Sequence, residues 1–304
     1  MMMQTTGERI NARVFPLGID FLRPFLEPVI EFVSAPESAD FILAMNNTTP
    51  GYSRALSDAR RYGKPLAWWT IEDPNSFETF LPQAVEATHI FTTDEACIPR
   101  YVQRLGHHRV FPLPLACSPA HHRPLPLRED ATDFVISANW YTNEARFWGV
   151  QTVVEPIREA GYSLALFCYR TFMWRAPYDA FWRGETSYLD VASQYTHGRV
   201  VLGLNNQRSG LDGRAYTTMT SMRTFEALAC GKSFLAASSD AYERLGLVKG
   251  VHMMWTDSPK QTLEWAQRLL LPEGEVMATE GRAFVLAHHT YRHRLEQIAE
   301  HVLA

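Results

Sequence analysis

The sequence predicts an α/β protein of two tandem doubly wound domains facing a central cleft, and three observations carry that reading. Over the first 125 residues, short runs that are apolar on both faces alternate with segments of helical spacing. A proline-rich stretch at 112–133 then breaks the alternation, and beyond it the alternation resumes. Strands buried on both faces and separated by helices form parallel sheets with crossover helices. A chain of 304 residues has room for two cores of about 150 residues each.

In chain order, "NARVFPL" and "PVIEFVS" are candidate strands in an opening segment of about 60 residues whose pattern is the least regular. "DFILAM" (40–45), "PLAWWTI" (65–71), "THIFTT" (88–93) and "RVFPLPL" (109–115) read as strands. Helical spacing marks 51–63, 76–87 and 95–106, and glycine closes the first and last of these. Asp94 is placed to cap the third helix. The segment "PLPLACSPAHHRPLPLREDATD" holds five prolines and neither periodicity, so it is the expected linker and hinge. After it, "DFVISAN" (133–139), "YSLALFC" (162–168) and "RVVLGLN" (199–205) read as strands, with a helix over 143–161. A helix beginning near Ser221 leads through Gly231 into a buried strand, and helices are expected over 259–271, 275–289 and 291–304. The expected organisation is a first domain over 1–125, a second over 130–290, and a closing helix at 291–304 that packs back on the first.

Bulk properties exclude several classes. With 46% hydrophobic and 20% charged residues the chain is neither disordered nor low-complexity. No window reaches the roughly 18 apolar residues of a membrane span, and the polar start "MMMQTTGERINAR" has no apolar signal core, so a cytoplasmic location is expected. Cys97, Cys117, Cys168 and Cys230 lie far apart, which favours reduced thiols over a zinc site or disulfide framework. The net charge of −4 is evenly spread: 11 Lys and Arg face 13 Asp and Glu over 1–125, and 18 face 20 in the remainder. A dedicated nucleic-acid binder would show a basic stripe.

The chemistry concentrates in "TSMRTFEALACGKSFLAASS" (220–239). Met222, Phe225 and Leu228 recur at helical spacing, while Arg223 and Glu226 share a different side. Thr220 or Ser221 can cap the helix, and Gly231 suits the left-handed position after it. The preceding loop is rich in hydroxyls, glycine and arginine, and a helix start carries about half a positive charge, so an anion site is expected there. One turn on, Glu226 is placed to accept hydroxyl hydrogen bonds, at about the spacing of a diphosphate and a ribose diol. The ordinary alternative is a solvated Arg–Glu surface pair worth a few tenths of a kcal/mol.

The segment "SMRTFEALACGKSFLAAS" resembles the Arg-x-Phe-Glu-Ala-Leu-Ala-x-Gly run of CgeB-like glycosyltransferases, the spore-maturation-protein type, themselves similar to the GT-B class. "RVVLGLN", "HHTYRHRLEQI", "WWTIEDPNSF" and the stretch from "HIFTTDEACIPRYVQRLG" to the linker follow the same family's order over most of 65–303. The resemblance implies a GT-B-like enzyme of two Rossmann-like domains, with a nucleotide-sugar donor, its base and sugar left open, mainly on the second domain and an acceptor mainly on the first. It places Glu226 on the nucleotide ribose, and Arg223, Thr224 and the hydroxyls of 217–221, Ser221 and Thr220 included, near the diphosphate. Retaining relatives pair two glutamates with seven residues between them; here the partner position is Thr218, so the stereochemistry is open. The resemblance also implies that no metal or other cofactor is required.

Further candidates follow from strand ends. Asn139, Asn143 and Arg146 follow the first strand of the second domain and are placed for phosphate or sugar; Asn205 and Tyr169 end later strands, with Arg170 beside Tyr169. Capping and solvation are the plainer roles for Asn143 and Arg146. Asp73, in "TIEDPNS", is the candidate catalytic base, with Glu72 as its substitute and turn formation before Pro74 as its plainer role. His289 and His293 are four apart, a pair too small to argue for zinc. The acceptor is an unspecified hydroxyl on a saccharide, a protein or a modified DNA base. Alternatives are a nucleotide-sugar epimerase and a non-catalytic nucleotide-binding relative; a dinucleotide oxidoreductase would need a Gly-x-Gly-x-x-Gly run that is missing.

Overall fold

The computed structural model describes residues 9–140, 144–205 and 219–304. Expectations placed on Asn143, Thr217, Thr218 and most of the loop before Ser221 lie outside the described residues. The chain divides into two compact units, one of Met1–Leu115 with Tyr291–Ala304, the other of Ala116–Thr290.

Unit 1 is a six-stranded parallel sheet of β1 (Arg13–Leu17), β2 (Glu31–Phe32), β3 (Phe41–Met45), β4 (Leu66–Thr70), β5 (His89–Thr92) and β6 (Val110–Pro112), in the order β2-β1-β3-β4-β5-β6. Helices α1 (Arg23–Leu26), α2 (Tyr52–Arg60), α3 (Phe77–Ala84) and α4 (Ile98–Leu105) connect them. Every residue of β3 and β4 is buried, as double-faced strands require. On one face Ile42, Ala44, Leu66, Trp68 and Ile90 pack with Leu56, Phe77, Leu81 and Tyr101 from the helices. On the other, the closing helix (Tyr291–Leu303) brings Tyr291 against Phe25 and Trp69, with ring centroids 5.6 and 6.3 Å apart. The strand expected over 109–115 is only three residues long, because Pro112 and Pro114 supply no ladder N–H.

Unit 2 carries β7 (Thr132–Ser137), β8 (Leu164–Phe167), β9 (Trp182–Gly184), β10 (Gly198–Gly203), β11 (Ser233–Ala237) and β12 (Met254–Thr256), in the order β12-β11-β10-β7-β8-β9. Its helices are α5 (Glu144–Gly149), α6 (Glu155–Glu159), α7 (Val191–Gln194), α8 (Met222–Ala229), α9 (Ala241–Arg244), α10 (Pro259–Leu269) and α11 (Pro272–His288); a π turn at Val150–Val154 joins α5 to α6. Alternate strand residues feed two cores. Val135, Phe167, Val201 and Phe234 face Phe225 and Leu228 of α8; Phe134, Leu166, Leu202 and Leu235 face Val153, Ile157 and Ala266. Short elements without internal periodicity (α1, α7, α9, β9 and β12) escape sequence reading, since each is too brief to show a repeat.

Both sheets have one place where the strand order reverses: between β1 and β3 in unit 1, and between β7 and β10 in unit 2. Ligands of open α/β sheets bind beyond the carboxyl ends of the strands at such points. At the far end of the second, Gly198 lets β10 approach β7 closely: a Cβ there would lie 2.6 Å from the Val135 Cβ and 2.7 Å from its backbone nitrogen. Backbone cannot yield as a side chain does. Gly198→Ala is therefore expected to lower stability by about 1–3 kcal/mol in urea denaturation.

Candidate functional site

Helix α8 is the centre of the constellation in unit 2. Ser221 caps it, its Oγ accepting from the Arg223 N–H at 3.3 Å, and Gly231 ends it at φ +68°. Thr220, the other candidate cap, pairs instead with Thr224, their hydroxyls 3.2 Å apart. Amphipathic spacing turns Phe225 and Leu228 into the core and leaves Arg223 and Glu226 together on another side, as expected. The environment of the pair is not the solvated one of a surface salt bridge. Glu226 is fully buried; its Oε2 accepts from Arg223 Nη1 at 2.6 Å, and the Arg223 side chain keeps only 15% exposure.

Three further groups close around the pair. Arg223 Nη2 donates to Thr186 Oγ1 at 3.3 Å, and the guanidinium stands 5.7 Å from the centroid of the Tyr188 ring. Thr186 is 2.8 Å from Ser137 Oγ at the end of β7, which also donates to Gln194 at 2.9 Å. The third group is His122. Its Nδ1 accepts the Ser118 backbone N–H at 3.0 Å, so the neutral ring carries its proton on Nε2, and Nε2 lies 3.5 Å from Glu226 Oε1. That separation is too long for a hydrogen bond, and among the described residues Oε1 accepts none. Burial lowers the pKa of His122 below its ordinary 6.5, with Glu226 pulling partly the other way. Burial also pulls on Arg223, but the Glu226 charge outweighs it and holds the guanidinium ionised.

The remaining sequence candidates of unit 2 gather at the carboxyl ends of β7, β8 and β10. Asn205 donates from Nδ2 to the Tyr242 hydroxyl at 3.1 Å and to the Ala237 carbonyl at 3.4 Å. Burial raises the pKa of that tyrosine to about 12, against the pull of its Asn205, Thr224 and Thr220 hydrogen bonds, so its proton stays in the network. Arg146 of α5 is buried, with Nη1 3.5 Å from the Leu204 carbonyl. Asn139 accepts the Tyr169 N–H at 3.0 Å, and Tyr169 meets Tyr188 edge-on with centroids 6.4 Å apart. Thus Asn139, Tyr169, Arg223 and Glu226 form one connected patch, joined through Tyr188. Sequence reading missed His122, Thr186, Tyr188 and Tyr242. His122 sits in the proline-rich segment expected as the linker, which from Ala116 onward is part of unit 2, and nothing local in the sequence distinguishes it from His121.

In unit 1, Asp73 does not occupy the open position expected of a base. It is 1% exposed, next to the cis Asp73–Pro74 bond; Oδ2 accepts from Thr92 at 2.6 Å and Oδ1 from Tyr101 at 3.3 Å. Its carboxylate ties β5 and α4 together. Its neighbour Glu72 stands in the wall of an open cleft of ≈ 450 Å³ at the β1/β3 reversal, with Asp20 and Asn46. Glu72 keeps solvent contact, yet surrounding protein and then the Asp73 charge raise its pKa. Asp94 caps the turn after β5 as expected, accepting the Ala96 N–H at 2.9 Å.

Residues 146–300 match the model of a family described as glycosyl transferase-like. No curated protein sequence matches the chain. Among solved structures, HepE of Anabaena in complex with UDP is similar at TM-score 0.57 and 14% identity, over 94% of this chain and 90% of that one. TarM is similar at TM-score 0.57 and 10% identity, over 87% of this chain and 55% of that one. AviGT4, a glycosyltransferase involved in avilamycin A biosynthesis, is similar at TM-score 0.50 and 14% identity, over 89% and 79%. At these identities the likeness is one of fold: two parallel six-stranded α/β sheets of the GT-B kind.

Two outcomes follow from the buried pair. Arg223→Ala strands a buried carboxylate and is expected to cost about 3–5 kcal/mol in urea denaturation. A base whose folded pKa is depressed binds fewer protons than the unfolded chain, so His122 contributes stability that is present above pH 6.5 and lost as pH falls below it. The urea midpoint is expected to drop between pH 7.5 and 5.5, and to drop less in His122→Gln.

Proposed function

The chain belongs to the glycosyl transferase-like family, and from that membership we propose that it transfers a sugar from a nucleoside-diphosphate donor, UDP-linked, to an acceptor hydroxyl, as a CgeB-like GT-B enzyme. One observation carries the donor assignment. Among the described residues Glu226 Oε1 is a buried acceptor without a hydrogen bond, one turn into a capped helix beside the β7/β10 reversal. A buried acceptor left unmade costs about 1–3 kcal/mol, and a ribose hydroxyl would satisfy it. UDP is the nucleotide in the complex of the similar Anabaena protein, which favours uridine among the bases.

In this reading the diphosphate lies at the start of α8. Arg223, Ser221, Thr220 and Thr224 belong to that turn, and Arg146, Asn139, Asn205 and Tyr169 to the strand ends around it. Negative charge grows on the departing diphosphate, and the helix dipole with Arg223 and Arg146 stabilises it. Cations supplied by the chain fill the role a metal would otherwise take, so metal-independent transfer is proposed. The acceptor oxygen bonds to the anomeric carbon as the bond from that carbon to the diphosphate oxygen breaks, and the bonding pair leaves on the diphosphate. The hydroxyl proton passes to a carboxylate, for which we assign Glu72 in place of the enclosed Asp73. A raised pKa suits a proton acceptor working near neutrality.

Titration calorimetry with UDP, GDP, ADP and dTDP tests the donor assignment. Selective UDP binding is expected, weakened roughly ten- to 150-fold in Glu226→Gln, the worth of charge-assisted hydrogen bonds. Unchanged UDP affinity in a folded Glu226→Gln protein would remove Glu226 from the nucleotide site.

A further inference from the structure

The cleft of unit 1 has an electrostatic character opposite to that of the α8 site. Resting on the transfer reading above, we infer that this cleft holds the acceptor, and that the acceptor is a hydroxyl-rich compound bearing an amino group, an amino sugar or amino polyol, with its ammonium on Asp20.

The cleft is built for a ligand. It opens where β1 and β3 diverge, and its floor is stapled: the Tyr52 hydroxyl lies 2.5 Å from the Met45 carbonyl and 3.0 Å from the Leu17 carbonyl, the last residues of those two strands. Gly18, at φ +63°, keeps the Tyr52 ring in place, since a Cβ there would come within 2.8 Å of it. The cleft is therefore preformed. Its walls mix aromatic surface from Phe21 and Phe80 with polar groups, the combination that suits the C–H faces and hydroxyls of a sugar. Asn46 accepts the Ile71 N–H on Oδ1 at 2.9 Å, which leaves its amide NH2 group to donate to a ligand hydroxyl.

Charge then narrows the class. Among the described residues Asp20 and Glu72 both line the cleft, no Lys, Arg or His does, and neither carboxylate is ion-paired. The buried carboxylate of the adjacent Asp73 acts on Glu72 with the same sign of charge. Such a wall repels phosphate and carboxylate groups and favours a cation. A hard metal ion fits poorly: it requires about six oxygen ligands, and among the described residues no group of three His, Cys, Asp or Glu converges. An organic ammonium needs one carboxylate and tolerates apolar walls. Glu72 remains to take the proton of the attacking hydroxyl, while Asp20 holds the amine.

Saturation-transfer NMR on the full chain without donor tests this with three ligands of one ring: glucosamine, glucose and glucose 6-phosphate. Glucosamine is expected to bind about fivefold more tightly than glucose, the upper worth of an exposed ion pair, and glucose 6-phosphate to show no saturation. Asp20→Asn is expected to bring glucosamine to the level of glucose, and 0.5 M NaCl to narrow the gap in the unaltered protein. Equal binding of all three ligands, a preference for the phosphate, or a glucosamine preference that survives Asp20→Asn would overturn the inference. Stoichiometric displacement of glucosamine by Mg²⁺ would overturn it in favour of a metal site. UDP binding, measured on the same proteins, controls for folding and separates the two readings. Amine selectivity without UDP affinity sinks the donor assignment alone, whereas UDP affinity without amine selectivity sinks this inference alone.

Discussion

A carboxylate with no access to water must be neutralised within the protein, and that requirement at Glu226 organises unit 2. Desolvating such a charge costs several kcal/mol unless paired. Arg223, one turn earlier, supplies the countercharge. Its guanidinium is in turn held by Thr186 and faced by Tyr188, and Thr186 is anchored through Ser137 to the end of β7. His122 approaches from the proline-rich segment after Ala116, its proton directed to the same carboxylate by a backbone bond at Ser118. One buried charge thus ties α8, the β9–α7 connection, the β7 end and the linker into a single polar network, at the point of the sheet where strand order reverses. An arrangement this costly to assemble is not needed to hold a helix against a sheet; Phe225 and Leu228 do that by burial alone.

The two units share an architecture and differ in sign. Each has a parallel six-stranded sheet with one reversal, and each reversal leaves loops diverging at the carboxyl edge. In unit 2 the groups delivered there are the Arg223–Glu226 pair, whose charges balance, with Arg146 and the start of a capped helix as the surplus positive groups. In unit 1 they are Asp20, Glu72 and the enclosed Asp73 and Asp94, an edge suited to cations and neutral polyols. The even division of formal charge along the chain hides this contrast, because surface ion pairs such as Arg100–Glu78 and Arg292–Glu296 carry much of the total without shaping either edge.

How much was legible in the sequence varies with the length over which a signal repeats. β3, β4, α8 and α11 were readable because burial imposes a period on many residues at once. The Arg223–Glu226 side of α8 followed from helical geometry alone, and Ser221 and Gly231 marked its ends by their backbone preferences. What spacing could not supply was the third dimension. Glu226 read more readily as half of a surface pair than as a ligand group until its helix was seen packed on the sheet with His122 beside the carboxylate. Asp73 and Glu72 are adjacent and chemically alike, yet the strand end turns one inward to Thr92 and Tyr101 and the other into the cleft.

Local pattern therefore determined the α/β class, the tandem organisation, the order of the long elements and the helix that carries the Arg–Glu pair, all properties set by residues within a few positions of one another. Tertiary structure alone decided which carboxylate is buried and which faces a cavity, and which of eleven histidines meets Glu226. Those outcomes depend on contacts between segments 19 and 28 residues apart at Asp73 and about a hundred apart at Glu226, and desolvation and pairing are properties of the folded surroundings, absent from the residue itself.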